Sequence, residues 1–248
     1  MNRLLHRLLY WLLPLPLYLR MVSGALFLAV RVGGCRYHRA IEYIYHLPKL
    51  ISRGGVAIDI GANLGYYTRP LSRIVGAEGR VYAVEPVPLI FGVLRRNVSG
   101  CDNVELLNVA LGAEEQHIKM SNSSVGECGY FGTGQTGVGE GKGDGAIEFE
   151  AMMCRGSRLF DPLERIDLIK CDIEGYEGVV IPEMMQLIER HHPVVLLESG
   201  GETRGVLIEL LRGVGYECFE LEMGVEIPLR EGSDKDIIFR VKGGVKCE

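Results

Sequence analysis

From Arg36 onward the chain alternates short apolar runs with helix-length segments, the pattern of a parallel sheet with helices on both faces. Strands are expected at Val56–Ile60, Val81–Glu85, Val104–Asn108, Asp167–Asp172, Val194–Glu198 and Asp236–Val241, with a weaker one at Tyr216–Leu221. Most of these are near-continuous apolar runs, as strands buried on both faces should be. Helices are expected over Arg36–Ser52, Tyr67–Val75, Pro88–Val98, Gly178–His191 and Glu202–Val214. Pro70 lies inside the second of these, where a missing N–H and a steric clash oblige the helix to start late or bend.

Two stretches break the pattern. The first, residues 1–35, opens with MNRLLHRLLYWLLPLPLYLRMVSGALFLAV and is far more apolar than the rest. A spanning helix needs roughly 20 apolar residues, and Pro14, Pro16 and Arg20 interrupt the only window that is long enough. A membrane-interface or partner-docking segment over residues 1–32 is therefore expected ahead of a span, a signal peptide or core helices. Tyr10, Trp11 and Tyr18, set beside arginines, would suit a membrane interface, the alternative being that they pack on the domain. The second stretch, residues 125–145, holds nine glycines between HIKMS and IEFEAMM, which alternate like strands and could pair. It reads as a long loop without a core of its own, a lid or a disordered linker.

With 248 residues the chain has room for one large domain, 36–248, behind the apolar segment, and no second domain is evident. Its 27 Lys and Arg against 32 Asp and Glu leave a charge of −5 without an evident basic block, so nucleic acid is not an expected partner. Seven cysteines without a C-x-x-C pair read as reduced thiols, with no structural zinc site and a cytoplasmic location, peripheral to the inner face of a membrane if the N-terminal segment docks there.

The chemistry begins at VAIDIGANLGYY, Val56 to Tyr67. Ligands of open α/β sheets bind beyond the carboxyl ends of the strands. At such an end Gly61 and Gly65 would let the backbone approach a ligand, and Asn63 tolerates a left-handed conformation between them. The next strand ends at Glu85, whose carboxylate could take both hydroxyls of a ribose. The spacing is G-x-x-x-G rather than G-x-G-x-x-G, and Asp59 ahead of it would repel a pyrophosphate but welcome a cation. S-adenosylmethionine, an adenosyl sulfonium with an ammonium group, is such a ligand.

The segments AIDIGANLGYYT, VYAVEPVPLIFGVLRRNV, NVELLNVALG, IDLIKCDIEGYEGVVI and PVVLLES together resemble the FkbM-type S-adenosylmethionine-dependent methyltransferases, which mostly methylate oxygen, from about Val56 to Ser199. The resemblance implies a three-layer αβα Rossmann-like methyltransferase fold with a seven-stranded, mostly parallel sheet whose antiparallel last strand, Asp236–Val241, lies between its neighbours. It also implies that Asp59, Gly61, Asn63 and Gly65 line the methionine part of the cofactor, that Glu85 holds the ribose, and that the turn Asn108–Ala110 lies near the adenine. Pro70 and the length of the glycine tract depart from the family pattern.

Methyl transfer from a sulfonium leaves the protein to align donor and acceptor and to manage one proton, for which a general base can contribute roughly 10² to 10⁴ in rate. The segment IDLIKCDIEGYE offers Lys170, Asp172, Glu174 and Glu177, the first three of which share one side of the strand if it persists as far as Glu174. Asp172 and Glu174 are the expected catalytic groups, with Lys170 pairing or tuning them, or else forming a buried ion pair with Asp172 that only fixes the strand. Glu198 is a further candidate base, and His191 and His192 read as helix caps. No metal is expected. The leading reading is O-methylation of a hydroxyl on a sugar, glycan or small metabolite; an N-methyltransferase of the same fold and an inactive cofactor-binding scaffold at a membrane are the alternatives.

Overall fold

A computed structural model describes residues 3–33, 36–38, 41–141 and 145–241. In chain order the helices are α1 (Arg3–Leu12), α2 (Leu15–Val32), α3 (Glu42–His46), α4 (Thr68–Val75), α5 (Pro88–Asn97), α6 (Ser124–Cys128), α7 (Gly156–Leu159), α8 (Glu177–Glu183), α9 (Met185–His191) and α10 (Gly201–Gly213). The strands are β1 (Val56–Ile60), β2 (Arg80–Val84), β3 (Val104–Leu107), β4 (Ala110–Leu111), β5 (Gln116–Asn122), β6 (Thr136–Val138), β7 (Ile147–Cys154), β8 (Leu168–Cys171), β9 (Val194–Leu197), β10 (Tyr216–Glu222), β11 (Val225–Pro228) and β12 (Ile237–Val241).

The main sheet runs β11-β10-β12-β9-β8-β1-β2-β3. Parallel pairing joins β3, β2, β1, β8 and β9, and β12 is inserted antiparallel between β9 and β10. The expected seven strands are thus eight. The additional β11 pairs antiparallel with β10 through a tight turn at Met223 and Gly224, both at positive φ (52° and 76°). Two-residue turns of that geometry usually signal themselves with Asn-Gly or Asp-Gly, and here a methionine holds the strained position.

Strand alternation divides the core between two faces. Ile58 and Ile60 of β1 pack with Ile169, Cys171 and the buried side of α8, α9 and α10. Ala57 faces the other way with Val81 and Leu168, against α3 and α4. Pro70 falls in the first turn of α4, where its missing N–H has no intrahelical partner to lose. The single helix expected over Gly178–His191 is two, α8 and α9, which join at the non-helical Met184 two residues after Pro182. The helix expected from Arg36 to Ser52 contracts to α3 and one 3-10 turn at Leu47–Lys49, and its residues 39 and 40 lie outside the described residues.

The expectation of a coreless loop at 125–145 is corrected. The flanks do pair, as β5 against β7, but the tract itself contributes α6 and β6 to a four-stranded second sheet, β4-β7-β5-β6. Phe131 anchors it, 2% exposed and edge-on to Phe149 at 6.3 Å. Residues 142–144 of the tract lie outside the described residues. Of the cysteines, Cys101, Cys128, Cys154, Cys171 and Cys218 are free thiols, while Cys35 and Cys247 lie outside the described residues.

The apolar N-terminal segment divides in two. α2 lays Tyr18, Leu19 and Ser23 onto the domain, and Asn97 of α5 donates to Ser23 Oγ at 3.0 Å. α1 buries nothing fully. Of the three aromatic residues, Tyr18 is buried and Tyr10 packs edge-on to it at 5.6 Å, whereas Trp11 is 84% exposed.

Candidate active site

The end of β1 is built on a buried ionic cluster. Asp59 lies directly beside Lys170 in the parallel β1–β8 register, so both side chains point to the same face. Lys170 Nζ lies 3.7 Å from Asp59 Oδ1 and 3.3 Å from Asp172 Oδ2, and it donates to the Gly61 carbonyl at 3.0 Å. Thr68 of α4 donates to Asp59 Oδ2 at 2.6 Å. Burial pushes the Asp59 carboxyl pKa up against the opposing pull of Lys170. For Lys170 burial disfavours the charge, but the carboxylates of Asp172 and Asp59 outweigh it and raise the pKa. Asp59 is fully buried under the crevice, and its Oδ1 has no hydrogen-bond partner among the described residues. Lys170 is likewise a buried ion-pair partner, fixed beneath the reacting groups.

The glycines answer to packing as much as to a ligand. Gly61 has φ 73°, and a Cβ there would collide with the Asp172 carbonyl oxygen at the end of β8. Gly65, at φ 90°, would place its Cβ 3.0 Å from Leu94 Cδ1 of α5. Gly61 nevertheless lines the crevice, together with Asn63, which is left-handed at φ 53°. Gly65 is fully covered.

Glu85 sits where the adjacent strand ends, 5% exposed and on the crevice wall. Its Oε2 accepts from the Asn63 N–H and its Oε1 from the Val87 N–H, both at 2.9 Å. Burial nonetheless pushes its carboxyl up to about 7. Each oxygen retains a second lone-pair site for a ribose hydroxyl. Asn108 donates to the carbonyls of Glu85 (2.8 Å) and Pro86 (3.0 Å), so it shapes the turn that follows β2. Beyond Pro86 the crevice widens into a pocket of about 410 Å³ lined by Val84, Val109, Ala110, Leu111, Ile173 and Tyr176, an apolar slot suited to a purine ring. Ala110 belongs to β4 of the second sheet rather than to a free turn.

Strand β8 stops at Cys171, so alternation does not carry Glu174 to the side of Lys170 and Asp172 as expected. Glu174 instead occupies a left-handed turn (φ 57°). Glu177 holds that turn, its Oε1 accepting from the Ile173 N–H at 2.9 Å and the Gly175 N–H at 3.2 Å. The turn brings Glu174 to both the polar and apolar ends of the crevice. Burial, then the neighbouring Asp172 and Glu177, push its carboxyl up to about 7. Glu198, at the end of β9, is pushed up to about 8 by burial, by the charges of Asp172 and Asp236, and by a hydrogen bond with Asp172. Tyr67 completes this acidic rim. Burial, with Asp236, Asp172 and Asp59 around it, raises its phenol, and its ring lies under Lys170 Nζ at 5.1 Å.

The glycine tract roofs the crevice. Thr133, Gly134, Thr136 and Gly137 line it, and a Cβ on Gly134 would come within 2.9 Å of Glu174 Oε1. The roof is tied by Asn122, whose amide donates to the Gly132 carbonyl (2.6 Å) and Thr136 Oγ1 (2.8 Å). Of the two readings of the tract, a lid or a linker, this position fits the first; the place of Tyr67 and Thr68 was not anticipated. The only local sign of the roof was Phe131, an aromatic residue inside a glycine tract. His191 and His192 end α9, His192 as its left-handed C-cap, away from this site.

Comparison with known proteins agrees with this geometry. Residues 59–218 match the model of the methyltransferase FkbM domain. A TehB-like SAM-dependent methyltransferase from Corynebacterium glutamicum superposes with TM-score 0.50 at 13% identity over 92% of this chain and 99% of its own. Methyltransferase FkbM from Methylobacillus flagellatus gives 0.49 at 15% identity, over 77% of this chain and 44% of its own. Aeropyrum pernix fibrillarin, in complex with natively bound S-adenosyl-L-methionine, gives 0.46 at 15% identity, over 81% of this chain and 74% of its own. A comparison with curated protein sequences finds no match. The family match, spanning the strand ends at Asp59, Glu85 and Lys170 and most of the crevice, shows that the chain belongs to the FkbM methyltransferase family and is an S-adenosylmethionine-dependent methyltransferase.

Proposed function

We propose that the protein methylates a hydroxyl oxygen of a sugar, glycan or small metabolite, with Glu85 on the cofactor ribose, the slot at Val109–Leu111 around the adenine, and Glu174 as general base. The observation that carries this reading is Glu174 itself: a carboxyl at the crevice mouth whose pKa of about 7 matches the task of taking a hydroxyl proton near neutral pH. An amine is already nucleophilic once neutral, whereas an alcohol gains from a base as the C–O bond forms and the sulfonium leaves as a thioether.

Asp172 and Glu198 extend the carboxylate surface, which suits hydrogen bonds to a hydroxyl-rich acceptor and opposes a phosphate backbone. When bound, the sulfonium supplies the activated methyl carbon. Lys170 and Asp59 hold the Gly61 turn beneath it. The test is transfer of labelled methyl to a panel of sugars, glycans, simple alcohols, amines and RNA, with the product bond located by mass spectrometry. O-methylated product supports the reading. Methyl on nitrogen or RNA, or cofactor binding without turnover on every acceptor, contradicts it.

A further inference from the structure

The flank away from the crevice carries the opposite charge. Arg69 and Arg73 of α4, Arg80 at the start of β2 and Arg96 of α5 line a cleft of about 730 Å³ whose one acidic lining residue is Asp102. Among the described residues none of these four arginines is in an ion pair with a carboxylate. The wall of the cleft is fixed from behind: buried Asn103 donates to the carbonyls of Ser72 (2.9 Å) and Gly76 (2.7 Å) and accepts from Ser72 Oγ at 2.6 Å. Arg80 and Asn103 lie at the amino ends of β2 and β3, at the sheet edge opposite the cofactor crevice.

Helix α2 continues this surface. Arg69 stacks on its Phe27 ring at 4.9 Å, and Arg69 and Arg73 share a second hollow with Phe27, Leu28 and Arg31. Along the outer side of α2, Leu17, Met21, Leu28 and Val32 are 43%, 45%, 61% and 68% exposed. At 100° per residue they fall in one stripe, the side turned away from buried Tyr18, Leu19 and Ser23. The chain has no acidic residue before Glu42, so Arg20 and Arg31 flank the stripe without opposition, in a protein of charge −5. An apolar helix face lying in one surface with unpaired arginines is the composition that binds an anionic lipid interface.

We propose that the outer face of α2 and the arginine cleft beside it form one docking surface for a membrane leaflet containing anionic phospholipids, the apolar stripe entering the acyl boundary while headgroup phosphates sit among Arg69, Arg73, Arg80 and Arg96. Although α2 is long and apolar enough to cross a bilayer, its inner side is already seated on α5, so it lies along the surface. The cofactor site stays open on the far edge of the sheet. The docking does not depend on which acceptor the site takes.

The test is sedimentation of the full-length protein with vesicles of phosphatidylcholine alone or with about a third phosphatidylglycerol, in low and high salt. Binding is expected to the anionic vesicles, to weaken in high salt, and to fall on the order of tenfold or more in Arg73→Gln/Arg96→Gln, since each arginine near such a surface contributes about 1 kcal/mol, or roughly fivefold. Leu28→Ser/Val32→Ser should weaken binding as well. Unchanged S-adenosylmethionine affinity in both variants reports an intact fold. The proposal is overturned by equal binding to neutral vesicles, or by attachment that resists salt and alkaline carbonate as a spanning helix would. It is also overturned by inorganic phosphate or RNA binding to the cleft without vesicle binding, or by a dimer in solution that Leu28→Ser/Val32→Ser dissolves.

Discussion

Two sets of carboxylates meet at the crevice and behave as opposites. Below, Asp59 is fully buried, bonded to Thr68 through Oδ2 and paired with Lys170. Above, Glu174 lines the crevice and Glu198 follows β9 beside Asp172, their carboxyls pushed up to about 7 and about 8 by partial burial and the Asp172 charge. The lower set fixes a backbone turn, and the upper set is left to titrate. Acidic residues at strand ends are therefore not one functional class. What separates them is whether a neighbouring strand supplies a cation at the same register position.

Substitutions should separate the two sets, and the largest effect belongs above. Glu174→Gln is expected to lower kcat by roughly 10² to 10⁴, up to about 5.5 kcal/mol of barrier, while unfolding free energy near neutral pH does not fall, because a neutral amide replaces a carboxyl that the fold pushes up to about 7. Steady-state kinetics and urea denaturation check both halves, and a kcat within threefold of wild type would remove Glu174 as the base. The next largest effect belongs below. Lys170→Met leaves Asp59 buried and unpaired, a loss of about 3–5 kcal/mol in stability, and Asp59→Asn added to it should restore much of that. If the single variant is as stable as wild type, the ion pair is not what holds the floor.

Between the two sets lies Glu85, with a smaller expected effect. Glu85→Gln keeps the volume but sets an NH2 against one of the two backbone N–H donors and loses charge-assisted acceptance from the ribose, so S-adenosylmethionine should bind about tenfold more weakly or worse, at least about 1.4 kcal/mol. The smallest effect is in pH. Glu85 is raised by burial from 4.5 to about 7, so the empty native protein holds this proton more tightly than the unfolded chain. Stability from this group is therefore present at low pH and lost as pH rises from about 4.5 through 7. A cationic cofactor favours the carboxylate form, so its affinity should rise severalfold from pH 6 to pH 8 in wild type and rise less in Glu85→Gln, where Glu174 and Glu198 still titrate in that window. A flat wild-type profile would assign the carboxylate no part in binding.

How much of this was legible follows from what each feature depends on. The parallel strands were visible because burial on both faces writes Val, Ile and Leu in near-continuous runs, as in VVLL. The hairpin strand β11 was not, since its turn rests on Met223 in a conformation that sequence assigns to asparagine or glycine. Glu85 could be read from the end of its strand, but Asp59 could not be told from a ligand-facing acid without the β1–β8 register that sets Lys170 beside it. The left-handed turn at Glu174 depends on Glu177 accepting from the Ile173 and Gly175 N–H groups, and the roof depends on Asn122 bonding to Gly132 and on Phe131 packing against Phe149. The roof contacts form only once the chain has folded.

The claim under all of this is that an acid-lined crevice accepts a cationic adenosine ligand and rejects a pyrophosphate one. Calorimetric titration of the intact protein with S-adenosylmethionine and with NAD tests it directly. Saturable binding of the first with no heat from the second is the predicted outcome. NAD binding as tightly as S-adenosylmethionine would contradict it.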